Sequence, residues 1–190
     1  MNNGSKPRDP LGDPRSADSF TVSSGANLRG ITIRAVRADD RGGIAKAFRA
    51  LEPESIYRRF FFPKRELSDE ELRRLAECDG ARDVILVATV ASADQEIIVG
   101  LGHYARNAAS GEIAFTVEED YQGRGIASEM LRQLANIARR NGVLQLEAEV
   151  LADNAPMLTV FRRSRLPMKE TQTDGIVHLT LFLDDGSGNV

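Results

Sequence analysis

At 190 residues the chain is long enough for one domain with a sizeable core, whereas two halves would each be small. Its net charge of −3 argues against broad binding to nucleic acid or to an anionic membrane. The single cysteine, Cys78, excludes an internal disulfide and a cysteine-rich zinc site, and no apolar run could span a bilayer or serve as a secretion leader, so a reducing, cytoplasmic setting is expected.

Residues 1–28 hold three of the seven prolines (Pro7, Pro10 and Pro14) among Gly, Ser, Asn and Asp, with few apolar side chains. This composition predicts a disordered tail, then an ordered domain over residues 29–184 and a short tail at 185–190. Within the domain, Ile31 and Ile33 alternate with polar neighbours in a first strand over 30–36. Asp39 or Asp40 is placed to cap a helix running to about Ala50, with Ile44, Ala47, Phe48 and Leu51 on one face. Pro53 suits the first turn of a second helix bearing Ile56, Tyr57, Phe60 and Phe61. Ser68 and Glu71 have the spacing of a capping box, which predicts a third helix from Asp69 to about Cys78 with Leu72 and Leu75 inward.

The rhythm then changes to strands at 84–90, 97–104 and 112–117. Their short polar connections predict hairpins and an antiparallel meander, because parallel pairing needs a crossover of about a dozen residues or more. From Gly125 a helix places Ile126, Met130, Leu131, Leu134, Ile137 and Ala138 on one face, with Glu129, Arg132, Gln133 and Arg140 pointing away. Asn141 and Gly142 suit a left-handed stop after residue 140. A strand at 144–151, a helix opened by Asp153 and Asn154, and a final strand at 177–183 paired with an extended piece at 168–171 complete the order. The predicted class is a mixed α/β (α+β) fold: a mostly antiparallel sheet with one βαβ crossover and flanking helices.

The segment 122–128, Gln-Gly-Arg-Gly-Ile-Ala-Ser, enters that crossover helix. Such a turn presents free backbone N–H groups at the positive end of the helix dipole, a seat for a pyrophosphate. A Walker A loop is excluded because no Gly-Lys-Ser/Thr follows at the required distance. A dinucleotide fingerprint comes closer, with Gly123, Gly125 and Ser128 in near-matching places and Glu147 or Glu149 downstream. Topology opposes it, since residues 118–121 separate the turn from its strand and too little chain remains for further βα units.

Residues Gln122 to Ala127 fit the Gln/Arg-x-x-Gly-x-Gly/Ala signature of the GNAT N-acetyltransferase superfamily, and the order of elements from Ile31 to Leu183 resembles its fold. The stretches 53–61, 67–72 and 112–115 are similar to the catalytic domain of bacterial Pat-type protein lysine acetyltransferases. The resemblance implies transfer of an acetyl group from acetyl-CoA to an amine, with no metal. The implied pyrophosphate donors are the backbone N–H groups around Gln122, Gly123, Arg124, Gly125, Ala127 and Ser128. Main-chain groups near Phe115 and Val117 would meet the pantetheine and thioester, and Asn154 would either hold the pantetheine arm or cap its own helix.

An amine with a pKa of about 10.4 must lose a proton before it attacks, so a general base is expected. Glu112 matches the catalytic glutamate of the Pat-type group and stands at the strand entering the site; partial burial would make it a stronger base. His103 is the alternative. Glu118 and Glu119 are assigned to the solvent side, because facing inward they would repel phosphate. Phe161 occupies the place where many GNAT enzymes carry a tyrosine that protonates the leaving thiolate. Either solvent or the departing ammonium then supplies that proton, or the chain binds acyl-CoA without efficient turnover. The run 57–65, which mixes aromatics with Arg and Lys, is expected to help seat an acceptor protein while Phe60 and Phe61 pack. The implied partners are an acceptor protein with a reactive lysine or a small-molecule amine, with neither nucleic acid nor membrane.

Overall fold

The computed structural model describes residue 28, residues 30–93 and residues 95–183. The tails expected at 1–28 and 185–190 fall outside these residues, apart from Leu28. Seven strands form one sheet: β1 (Ile31–Ala35), β2 (Asp83–Ser92), β3 (Gln95–Asn107), β4 (Ser110–Val117), β5 (Gln145–Leu151), β6 (Met168–Thr173) and β7 (Ile176–Phe182), in the order β1-β2-β3-β4-β5-β7-β6. Every pairing is antiparallel except β4 with β5, which is parallel and joined through the helix α4 (Ile126–Arg140). The expected meander and single βαβ crossover are therefore present.

Helices cover both faces. On one side lie α1 (Arg41–Ala50), α2 (Pro53–Phe60) and α3 (Asp69–Ala76); on the other lie α4 and α5 (Ala155–Arg162). This explains the unbroken apolar run in β2, where Val84 to Ala88 are buried on successive residues, as a strand covered on both faces requires. The α4 side holds the larger core, in which Leu86, Tyr104, Phe115, Met130, Leu134 and Leu146 meet.

Two helix ends behave as their sequences direct. Ser68 accepts the Glu71 N–H while Glu71 accepts the Ser68 N–H, the reciprocal capping box. Beyond α4, Gly142 takes φ 73°, its N–H donates to Arg139 O and the Val143 N–H donates to Ala138 O, a paired stop of the Schellman kind.

Four expectations are corrected. Asp40 makes no side-chain cap on α1; its carboxylate takes two bonds from Arg34, at 2.7 and 2.8 Å, and the Arg37 N–H at 2.7 Å. Phe61 is not part of α2 but its left-handed terminus at φ 61°, and Tyr57 is exposed. Glu129 and Gln133 do not point into solvent; they are 7% and 5% exposed. Their burial is tolerable because Glu129 accepts bonds from Gln133 at 2.7 Å and from Arg132 at 2.9 Å, so the carboxylate keeps its partners. Finally, Glu118 lines a cavity rather than facing open solvent, and Glu119 accepts the Glu52 N–H at the start of α2.

Candidate active site

The parallel register of β4 and β5 lasts for only three pairs: Ser110 with Gln145, Gly111 with Leu146 and Glu112 with Glu147. Beyond Glu112 the strands part. β4 stays paired with β3 through Val117, and β5 stays paired with β7 through Leu151, so a wedge opens between them. The Glu118 N–H donates to Val99 O on β3. With a strand's twofold alternation, the backbone groups of residues 114 and 116 also turn toward β3, and those of Ile113, Phe115 and Val117 turn into the wedge. The Val117 carbonyl is taken by the Gln122 side chain at 3.0 Å, which ties the glycine turn to the strand end.

The same alternation sorts the side chains. Ile113 and Phe115 pack on the α4 side, where Phe115 meets Phe161 with ring centroids 6.0 Å apart. Glu112, Ala114 and Thr116 face the α1–α3 side.

The glycine turn lies at the open end of the wedge. Gly123 and Gly125 adopt φ 71° and 85°, in the left-handed region that a Cβ disfavours. The first bond into α4 is Glu129 N–H to Gly125 O. Among the described residues, Gly123, Arg124, Gly125, Ile126, Ala127 and Ser128 give their N–H groups to no other backbone carbonyl. These donors converge at the positive end of a 15-residue helix, an arrangement that suits an anion. Gln122 differs, because its N–H already donates to Glu119 O at 3.1 Å. Arg124 stacks 4.8 Å from the Tyr121 ring centroid and donates to Asp120 O, which braces the turn.

One cavity of about 460 Å³ joins these parts. Glu112, Phe115, Val117, Gln122, Gly123, Gly125, Ala127, Ser128, Asn154 and Phe161 all line it; of the cofactor-binding residues expected from the sequence, Arg124 alone does not. Asn154 is buried and its Oδ1 accepts the Met157 N–H at 3.2 Å, so it does cap α5 while also lining the cavity. Phe161 is buried and bears no hydroxyl. Glu112 is exposed, so the expected partial burial does not hold in the free protein.

A second cavity of about 440 Å³ lies under α1, α2 and α3 and shares Arg59 and Thr116 with the first. His103 opens onto it and sits 3.3 Å from Asp83. Burial pushes the imidazole pKa below its ordinary value, against the pull of Asp83. Arg59 is the residue that a reading of the sequence undervalued. Within a basic run it looks like a solvated face, yet it lies three positions after the buried Ile56 and so shares its inward side.

Comparison with known proteins places these features in a family context. Residues 31–166 match the family model described as an acetyltransferase (GNAT) domain. An acetyltransferase of Pseudomonas aeruginosa is 32% identical over 131 residues, or 68% of this chain and 70% of that protein. The acetyltransferase Pat of Mycolicibacterium smegmatis is 38% identical over 117 residues, or 58% of this chain but only 33% of that longer protein. The GNAT domain of S. lividans PAT superposes with a TM-score of 0.72 at 31% identity, covering 79% of this chain and 89% of that one. The acetyltransferase yncA from Salmonella typhimurium, solved with its cofactor acetyl-CoA, shares the fold at 17% identity and a TM-score of 0.68, covering 84% and 97% of the two chains.

Proposed function

The chain belongs to the GNAT acetyltransferase family, and on that premise we propose that it carries an acetyl group from acetyl-CoA to the ε-amine of a lysine in an acceptor protein. The observation that carries this reading is the wedge between β4 and β5, with amide donors at its open end and Glu112 at its apex. A diphosphate seated on the amides of residues 123–128 leaves an extended thiol arm free to follow the β4 edge. Its thioester then reaches Phe115 or Ile113, where a backbone N–H aimed into the wedge can stabilise the charge that grows on the thioester oxygen.

Glu112 takes the proton from the attacking ammonium, directly or through one water. Being exposed and at the point where the strands part, it is open to an amine arriving from the α1–α3 side. The amine attacks the thioester carbon, a C–N bond forms, and the C–S bond breaks. Phe161 has no proton to give, so the departing thiolate is protonated by solvent or by the second proton that the nitrogen of the tetrahedral intermediate loses as the amide forms.

Protein lysine is favoured over a free amine by the similarity to two Pat-type proteins, each above 30% identity. The second cavity favours a small-molecule amine as the runner-up, since its volume lies in the range of small-ligand sites. Incubating the protein with acetyl-CoA and either a cell extract or a panel of diamines separates them. Acetyl-lysine found by mass spectrometry supports the first reading, and turnover of free amine without it supports the second.

A further inference from the structure

Arg59 presents an unusual electrostatic situation. Among the described residues it makes no hydrogen bond and no ion pair, only a contact over the Phe60 ring at 5.1 Å. Of the cations around it, Arg58 pairs with Glu54 at 2.5 Å, Lys64 with Glu71 at 2.6 Å and Arg124 with a main-chain carbonyl, while Arg74 and Arg163, which line the same two cavities, are exposed to water. Yet Arg59 is only part-exposed, and burial pushes its pKa below the ordinary value while the nearby Glu112 charge pulls it back. A guanidinium held away from bulk water without an acceptor is costly, and the cost is relieved when an anion joins it.

The position of Arg59 limits what that anion can be. Arg59 shares the first cavity with the diphosphate donors of the glycine turn, but it also faces the second cavity, which no residue of that turn lines. Arg59 lines both cavities and lies on the face of β4 that carries Glu112. The carboxylates of the second cavity are committed elsewhere: Glu71 to Lys64 and Ser68, Glu77 to Arg73, Asp83 to His103, and Asp79 to the amides of residues 81–83. Glu118, just past the end of β4, lines the same cavity as Arg59 but, among the described residues, makes no hydrogen bond or ion pair with it. Glu112 is near enough for its charge to act on Arg59 but, among the described residues, makes no hydrogen bond or ion pair with it, which leaves the guanidinium open to an anion brought by the acceptor.

We propose that Arg59 is a specificity-determining residue that selects lysines with an aspartate or glutamate close by in the acceptor protein. The inference rests on the lysine reading above and extends it. The guanidinium binds the acidic side chain by charge-assisted hydrogen bonds, which holds the neighbouring amine in line with Glu112 and the thioester.

The test uses two short lysine peptides that differ only by Glu or Gln next to the lysine, with wild type, Arg59→Gln and Arg59→Lys. For wild type, kcat/KM should favour the Glu peptide by about ten-fold or more, the size of one charge-assisted bond. Arg59→Gln should erase the ratio between the two peptides, and Arg59→Lys should restore part of it. A ratio that is the same in wild type and Arg59→Gln overturns the proposal, as does an equal loss for both peptides. Calorimetry of each peptide against protein saturated with CoA needs no turnover. If neither peptide is acetylated yet the Glu peptide binds better through Arg59, the lysine reaction is wrong and anion recognition stands. If both are acetylated without preference, the reaction stands and Arg59 has no such role.

Discussion

Glu112 faces Glu147 in the last parallel pair of β4 and β5, and the wedge opens immediately after them. The placement sets the proposed base at the apex of the gap that the acyl arm would enter. Removing its basicity with little change in shape should therefore affect chemistry rather than cosubstrate binding. Glu112→Gln is expected to lower kcat by about 10²- to 10⁴-fold with KM for acetyl-CoA nearly unchanged, measured by release of free thiol. An unchanged rate and pH profile would assign the proton transfer to another group.

The left-handed Gly125 tests the cradle. A β-branched side chain at φ 85° is strained whatever the space around it, so the Gly125→Val variant should relax the turn and withdraw amides from the anion. Affinity for acetyl-CoA should fall about ten-fold or more, while stability should fall by no more than about 1–2 kcal/mol, the backbone strain of one such residue in an exposed turn. Titration calorimetry reads the first effect and a melting curve the second.

Asn154 has two roles to separate. Asn154→Ala should cost about 1 kcal/mol of stability by removing the cap on α5 and should also raise KM for acetyl-CoA. Asn154→Ser keeps a cap, so its stability should be near wild type while KM remains raised. If the Ser variant recovers both, Asn154 serves the helix alone.

Phe161 is buried, packs against Phe115 and lines the first cavity. Phe161→Tyr would place a hydroxyl in that packing and should cost about 1–3 kcal/mol without raising kcat. A faster, equally stable variant would mean that the thiolate lacks an acid in the native chain.

The Arg34–Asp40 pair predicts acid sensitivity. Burial alone would raise the Asp40 pKa, but the Arg34 bonds and the Arg37 N–H hold it below the ordinary value of 3.8. A carboxylate whose folded pKa is depressed contributes stability above the unfolded value and loses it as pH falls through the folded one. Stability should therefore decline below about pH 4. Asp40→Asn should cost about 1–3 kcal/mol at neutral pH, because Arg34 loses this carboxylate but keeps Glu96 at 2.8 Å, and should flatten that part of the acid decline. Denaturant unfolding at several pH values measures both.

Much of the fold was legible because its signals are local. The capping box at Ser68 and Glu71, the stop at Gly142, the twofold strand pattern and the glycine turn before α4 each follow from a few neighbouring residues. The misplaced residues depend on distant partners. Asp40 has the composition of a helix cap, but Arg34 on β1 claims it. Glu129 and Gln133 read as a polar face until the network through Arg132 shows how they can be buried. The wedge was not legible, since where β4 and β5 stop pairing is a property of register that neither strand shows alone. Arg59 was hidden for a similar reason: its helix places it inward, but what makes it notable is that it forms no hydrogen bond or ion pair among the described residues.

The central claim is that the amides of residues 123–128 hold the diphosphate of acetyl-CoA. Calorimetric titration with acetyl-CoA and with acetyl-pantetheine, which has the same thioester arm but no diphosphate, tests it most directly. Acetyl-CoA should bind at least about a hundred-fold more tightly, as several charge-assisted bonds at a helix terminus require. Equal affinities for the two thioesters would contradict it.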